Sequence, residues 1–173
     1  MRKPPKREKY DLQPSEVREM LDYDRETGVL KWSQSEKVRP QFRGTVAGTI
    51  QYDGYRCLRF KFHRYYAHVL IWFHVHGAWP REQIDHWDLN RDNNALANLR
   101  LATPRQNSVN TKVSKKNTSG FKGVCEQNGR WIAQMRQDGK RGYIGSFDTA
   151  EEAFEAYKQA ALKQHGEFAR PDG

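Results

Sequence analysis

Apolar positions along the chain change period twice. In PSEVREMLDYD, from Pro14, residues Val17, Met20 and Leu21 fall on one face at helical spacing, with Ser15 as a candidate N-cap. Glu26 to Trp32 reads as a turn feeding a short strand. From Gly44 the period drops to two. GTVAGTI, the turn QYDGY and YRCLRFKFHRYY predict a hairpin, with Tyr55, Cys57 and Arg59 alternating against Arg56, Leu58 and Phe60. Helical spacing returns over Ala67 to His76, through Val69, Leu70, Trp72 and Phe73. It stops at Gly77 with Pro80 beyond, so this helix should cover the sheet and back whatever begins at Ile84.

After Asn107 the composition shifts. SVNTKVSKKNTSG is polar, basic and almost free of large apolar residues, which predicts a linker. Three strand-like segments follow: FKGVCEQ, RWIAQMRQ and KRGYIGSF. Asn128-Gly129 and Asp138-Gly139 separate them, and these dipeptides favour tight hairpin turns. Then TAEEAFEAYKQAALKQH predicts a helix capped by Asp148 or Thr149 and closed by Gly166. Its stripe of Ala153, Ala156, Tyr157, Ala160 and Ala161 is suited to lying close on a sheet. The fold class is therefore α+β, ending in a three-stranded antiparallel meander packed on one helix.

Charge narrows the partners. Thirty basic against 21 acidic residues give a net +9, which favours nucleic acid. A membrane partner is not expected, because the most apolar stretch, Ala67 to Val75, is too short to span and carries His68 and His74. The opening MRKPPKREKY is basic without the apolar core of a secretory signal, so the chain is not expected to be secreted. Cys57 and Cys125 lie far apart with no CxxC pair. No structural zinc and no disulfide are expected, and a reduced, cytoplasmic setting fits.

The chemistry concentrates in IDHWDLNRDNNALANLRLATPRQN, from Ile84 to Asn107. Phosphodiester hydrolysis needs a water made nucleophilic and a cation to stabilise the crowded phosphate. His86 suits the first task, since histidine titrates near neutral pH, and Asp85 suits the second. Neighbours on a strand point to opposite faces, so the strand should end or bend at this pair, and the turn composition of Asp88 to Asn94 supplies that end. Asn98 is placed to accept a hydrogen bond from His86 and fix its tautomer. Asn107, on a helix starting at Pro104, is placed to offer an amide oxygen to the metal. A carboxylate with an amide oxygen is a hard set, favouring Mg2+ or Mn2+, with no small-molecule cofactor. Arg105 is a candidate phosphate clamp. Taken singly, each of these residues is an ordinary turn or cap residue; their combination in a basic chain carries the reading.

AHVLIW, IDHWDLNRDNNALANLRLAT and RQN together resemble the HNH endonuclease family, in its phage and intron-encoded branch related to homing endonucleases. The likeness covers roughly residues 17 to 110 and implies a ββα-metal (His-Me) finger over about 83–110. It assigns His86 to water activation, Asn98 to orienting His86, and Asp85 and Asn107 to the divalent ion. Asn94 is expected to brace the loop and His68 to pack against the finger. Many relatives carry histidine where Asn107 stands, so this is a His-Asn-Asn variant. The family implies hydrolysis of duplex DNA to 3′-hydroxyl and 5′-phosphate ends, in a bacterial or phage-infected cell. A non-catalytic DNA-binding regulator and an RNA nuclease are the alternatives.

The tail from Asn117 to Arg170 resembles the Apetala-two, or plant ethylene-response-factor, DNA-binding domain, whose sheet enters the major groove. The alternation agrees: Arg130, Ile132, Gln134 and Arg136 share one face, opposite Trp131, Ala133 and Met135. Arginine suits guanine and glutamine suits adenine, and Lys122, Arg141 and Tyr143 should extend that face. Lys115 and Lys116 in the linker are expected to track the backbone. The expected organisation is a basic arm over 1–13, a nuclease domain over 14–110, a linker over 111–118 and the DNA-binding domain over 119–170, acting as a monomer rather than a dimer on double-stranded DNA.

Overall fold

A proline locks φ and lacks an N–H, so it sits best in the first turn of a helix. The first helix obeys this. α1 spans Pro14–Met20 with Gln13, not Ser15, at the N-cap, and Glu16 accepts the Gln13 N–H at 3.1 Å. The computed structural model describes residues 11–110, 113, 117–137 and 140–169. The first ten residues of the expected arm, most of the linker with Lys115 and Lys116, and the Asp138-Gly139 turn lie outside the described residues. The chain divides into two compact units, one up to Ala102 and one from Thr103.

In the first unit Leu21, expected on the helix, instead opens a strand. β1 (Leu21–Tyr23) pairs antiparallel with β2 (Leu30–Trp32), and Leu21 and Leu30 are both buried. The connecting turn is held by Asp24 Oδ1, which accepts the N–H groups of Glu26 and Thr27. Next comes a three-stranded antiparallel sheet of β3 (Thr49–Ile50), β4 (Arg56–Phe60) and β5 (His63–Tyr66), with β4 central. Strict alternation fails at Cys57, which is buried beside buried Leu58. A Cβ on Gly48 would lie 2.4 Å from the Cys57 carbonyl oxygen, so only glycine fits where the chain enters β3 beside β4. α2 (Ala67–His76) ends at left-handed Gly77, as expected. Val17, Leu21, Leu30, Phe60, Leu70 and Ile71 form the heart of the core. Against it stands the hairpin of β6 (Gln83–His86) and β7 (Leu99–Ala102).

In the second unit α3 (Pro104–Val109) is capped by Thr103, whose hydroxyl accepts the Gln106 N–H. β8 (Val124–Gln127), β9 (Arg130–Gln137) and β10 (Lys140–Phe147) form an antiparallel sheet with β9 in the middle. Asn128 and Gly129 join β8 to β9 with φ of 53° and 74°, the left-handed pair that a two-residue hairpin turn demands. α4 (Ala150–His165) is capped by Thr149, which forms a capping box with Glu152. Ala133, Ala153 and Ala161 are almost fully buried between sheet and helix, with Val124 and Tyr157. Small side chains let the two layers approach, and Trp131, Met135 and Phe147 pack around the edge. The architecture is α+β, ending in a three-stranded antiparallel sheet with one helix packed on it.

Candidate active site

β6 ends at His86, so Asp85 and His86 sit where the strand gives way to the loop 87–98. Both are buried, as are Asn94 and Asn98 in that loop. Leu89 takes a φ of 63°, and Asp88, Asn90 and Asn93 side chains accept backbone N–H groups two residues on, the local bonding that makes such residues good turn formers.

The amide beside His86 is Asn94. Its Oδ1 lies 3.1 Å from His86 Nε2, while its own NH2 donates to the Asp92 carbonyl at 3.1 Å. The acceptor end of the amide therefore faces the ring, Nε2 carries the proton, and the lone pair of neutral His86 falls on Nδ1. Burial pushes the His86 pKa down, against the upward pull of Asn94, Asp88 and Asp85, so the ring is a neutral base at pH 7.

Asn98, expected at this place, is committed elsewhere. Its Oδ1 accepts the Asp88 N–H at 3.0 Å, and its NH2 donates to Asp88 Oδ1 at 2.9 Å and the Asn93 carbonyl at 2.7 Å. The hydrogen bond to His86 expected of Asn98 is thus made by Asn94. The loop's own backbone groups compete for the Asn98 amide and win. Burial pushes the Asp88 carboxyl up, but hydrogen bonds from Asn93, the Asn90 N–H and Asn98 outweigh it and hold the pKa below the usual range.

Asp85 is gripped by Arg100, its register partner on β7. Nε and a terminal nitrogen of the guanidinium both lie 2.9 Å from Asp85 Oδ2. Arg100 is also stacked on Trp87, its Cζ 4.4 Å from the ring centre. His68, from α2, sets its ring edge-to-face on His86 at 5.2 Å and is itself buried, with Nδ1 lacking a hydrogen-bond partner among the described residues. Burial, then the nearby His86, pushes its pKa down to about 3. The expected packing role of His68 fits this contact. Tyr55 closes the cluster, 5.7 Å from His86 and 5.1 Å from His68.

The N-terminal hairpin holds Asn94 from behind. Tyr23 donates its hydroxyl to the Asn94 carbonyl at 2.8 Å, and burial pushes that phenol up to about 12, keeping it a donor. Gly28, at φ 73°, lies so close that a Cβ there would stand 2.2 Å from Ala95 N. Arg56 clamps Asp92 through two bonds of 2.9 and 3.0 Å. Tyr23, Gly28 and Arg56 lie outside the motif, and Arg100 lies within it with no sequence sign that it pairs with Asp85. Only the approach of distant segments reveals them.

Asn107 and Arg105 lie on α3, in the second unit. Arg105 and Lys122 stand near enough to His165 to add to the burial that lowers its pKa. On the sheet, Arg136 and Arg141 are exposed register partners, and Gln134 pairs with exposed Tyr143 in the same way. Arg130 is exposed but engaged: it donates to Ser146 and forms an ion pair with Asp148. Gln134 is half-buried, its amide donating to Cys125 Sγ at 3.2 Å.

Comparison with known proteins places the stretch around Asp85 and His86 in a family. A family model described as HNH endonuclease matches residues 65–109. Protein 3.8 of Escherichia phage T7 is 40% identical over 106 residues, 60% of this chain and 87% of that protein. The uncharacterized HNH endonuclease L560 of Acanthamoeba polyphaga mimivirus is 35% identical over 143 residues, 82% of this chain and 71% of that protein. A plant protein is similar over a shorter stretch: the AP2/ERF and B3 domain-containing transcription factor At1g51120 of Arabidopsis thaliana, 43% identical over 61 residues, 35% of this chain and 17% of its own length. With most of two viral relatives covered, and the matched stretch containing the buried Asp85-His86 pair and its asparagine loop, the chain belongs to the HNH endonuclease family.

Proposed function

We propose that this protein hydrolyses phosphodiester bonds in duplex DNA with His86 as general base and a divalent ion as cofactor. One observation carries the reading: a buried, neutral imidazole whose Nε2 is fixed by Asn94, next to a carboxylate fixed by Arg100. His86 Nδ1 takes a proton from a water, the water oxygen attacks phosphorus, and the bond to the 3′-oxygen breaks. The products carry a 5′-phosphate and a 3′-hydroxyl, whose proton comes from solvent. Positioned base catalysis of this kind contributes about 10²–10⁴-fold.

The donor set fits a hard cation. The protein's ligands would be the Asp85 carboxylate and the Asn107 amide oxygen, the assignment that the family resemblance implies. Such oxygen donors suit Mg2+ or Mn2+, which when bound supplies charge to the phosphate and the leaving oxygen. Arg100 holds Asp85 in one orientation, Asn94 sets the tautomer of His86, and Asn98 keeps the loop closed.

The second unit acts as the DNA reader in the same proposal. Its sheet presents Arg136, Arg141, Gln134 and Tyr143 for the major groove, and Arg130, Lys122, Arg105, Lys115 and Lys116 add contacts to DNA. Similarity to a plant AP2/ERF factor and the three-strand, one-helix fold support it. Binding is sequence-biased, the protein acts as a monomer, and the setting is cytoplasmic. Supercoiled plasmid incubated with protein and Mg2+ or Mn2+ should become nicked or linear. His86→Ala should remove cleavage by at least about a hundredfold and leave DNA affinity unchanged. Intact plasmid across the metal series with the unaltered protein would instead leave a DNA-binding regulator.

A further inference from the structure

A second charged surface lies in the first unit, on residues that none of the motifs include. In the β4–β5 hairpin Arg59 and Arg64 are direct register partners, and both are exposed. Like charges directly opposite on a sheet destabilise it. Arg64 donates to the Gln51 side-chain oxygen, and Arg59 has no acidic partner among the described residues.

The two arginines line a broad groove of about 1250 Å³ that also takes in Lys37, Arg39 and Lys61, and among the described residues no carboxylate lines it. Lys37 and Lys61 are neutralised by Glu19 and Glu16. Arg39, Arg59 and Arg64 are left as uncompensated charge.

The hairpin tip is equally unusual. Lys61 and Phe62 form its two-residue turn, with φ of 43° and 70°. That conformation is favourable for glycine or asparagine and strained for lysine and phenylalanine. Phe62 gains nothing from burial either, being 94% exposed. Neither sheet pairing nor packing explains why these four residues stand together.

We infer that the β4–β5 hairpin is a further contact to duplex DNA, its arginines on backbone phosphates and Phe62 against the edge of the groove. The surplus of cations over acids selects a polyanion over an apolar protein partner. Duplex DNA is chosen because the inference rests on the proposed substrate. The hairpin then anchors DNA on the nuclease unit itself, independently of the sheet in the second unit.

The test measures full-length protein binding to duplex DNA across a salt series, comparing the unaltered chain with the double variant Arg59→Gln/Arg64→Gln. Losing two phosphate contacts should flatten the log–log salt slope by about 2. Phe62→Gly should relieve the turn, raise the melting temperature and weaken DNA binding. An unchanged slope in the double variant overturns the inference, as does equal loss of binding to an acidic polypeptide, or a preference for RNA that the variant abolishes. Plasmid cleavage by the unaltered protein reads the proposed function separately. If that protein cuts and the slope does not move, only the hairpin contact fails.

Discussion

Four hairpins among the described residues set one charged residue directly opposite another; exposed Asp22 faces exposed Lys31 in β1–β2, and the other three differ in sign and in burial. In the β6–β7 hairpin Asp85 faces Arg100, and both side chains are largely shielded, at 4% and 16% exposure. In the β9–β10 hairpin Arg136 faces Arg141, and in the β4–β5 hairpin Arg59 faces Arg64, all four exposed. Buried charge must be matched where it lies, because desolvation is costly and water cannot screen it. Exposed charge is tolerated in excess, since solvent and salt carry most of the penalty. The matched pair orients a residue within the molecule. The unmatched pairs leave their balancing charge to be supplied from outside.

The contrast can be broken most forcefully at the buried pair. Arg100→Ala takes the guanidinium from the buried Asp85 carboxylate and removes the stack on Trp87, so stability should fall by about 3–5 kcal/mol, read from denaturant unfolding. A loss near zero would mean the pair is effectively solvated and the contrast false. At the exposed pair the balance reverses. Arg136→Ser with Arg141→Ser should change unfolding free energy by no more than about 0.5 kcal/mol, while duplex affinity falls and the salt slope flattens by about 2. A folded variant with unaltered DNA binding would take the sheet out of the interface.

A third contrast is read in pH and concerns His68, whose shielding is uncompensated by any hydrogen bond at Nδ1 among the described residues. Its folded pKa lies near 3, below the ordinary value of about 6.5 in an unfolded chain. The unfolded state therefore binds the extra proton first, and stability should be lost as pH falls below about 6.5, on the order of 1 kcal/mol per pH unit. His68→Leu should flatten that acid limb of the unfolding curve. An unchanged slope between pH 6 and 4 would assign the loss to other groups.

Much of the second unit was legible because its signals are local. RWIAQMRQ and KRGYIGSF bound β9 and β10 to the residue, and Asn128-Gly129 forms the turn its composition favours. β1 was not legible: Leu21 continues the helical spacing of Val17 and Met20, and only pairing with β2 draws it into a strand. At the site, the residue types were readable but not their partners. Asn94 and Asn98 are both buried asparagines in one loop, and sequence spacing cannot say which amide reaches His86. That choice is made by the Asp88 N–H and Asn93 carbonyl, which capture Asn98, and by Tyr23, which holds the Asn94 backbone. Opposed arginines were equally hidden, since they depend on register.

Gly28 and Tyr23 have a bearing on modularity. Both precede the 65–109 stretch that the family model matches, yet they press directly on the segment that presents Asn94 to His86. The matched stretch is therefore not a portable cassette. A graft of it onto another scaffold would bring the histidine and both asparagines but leave behind the surface that supports one of them. Swapping such modules between chains should preserve function only when the β1–β2 hairpin travels along, which sets the smallest transplantable nuclease well upstream of its recognisable motif.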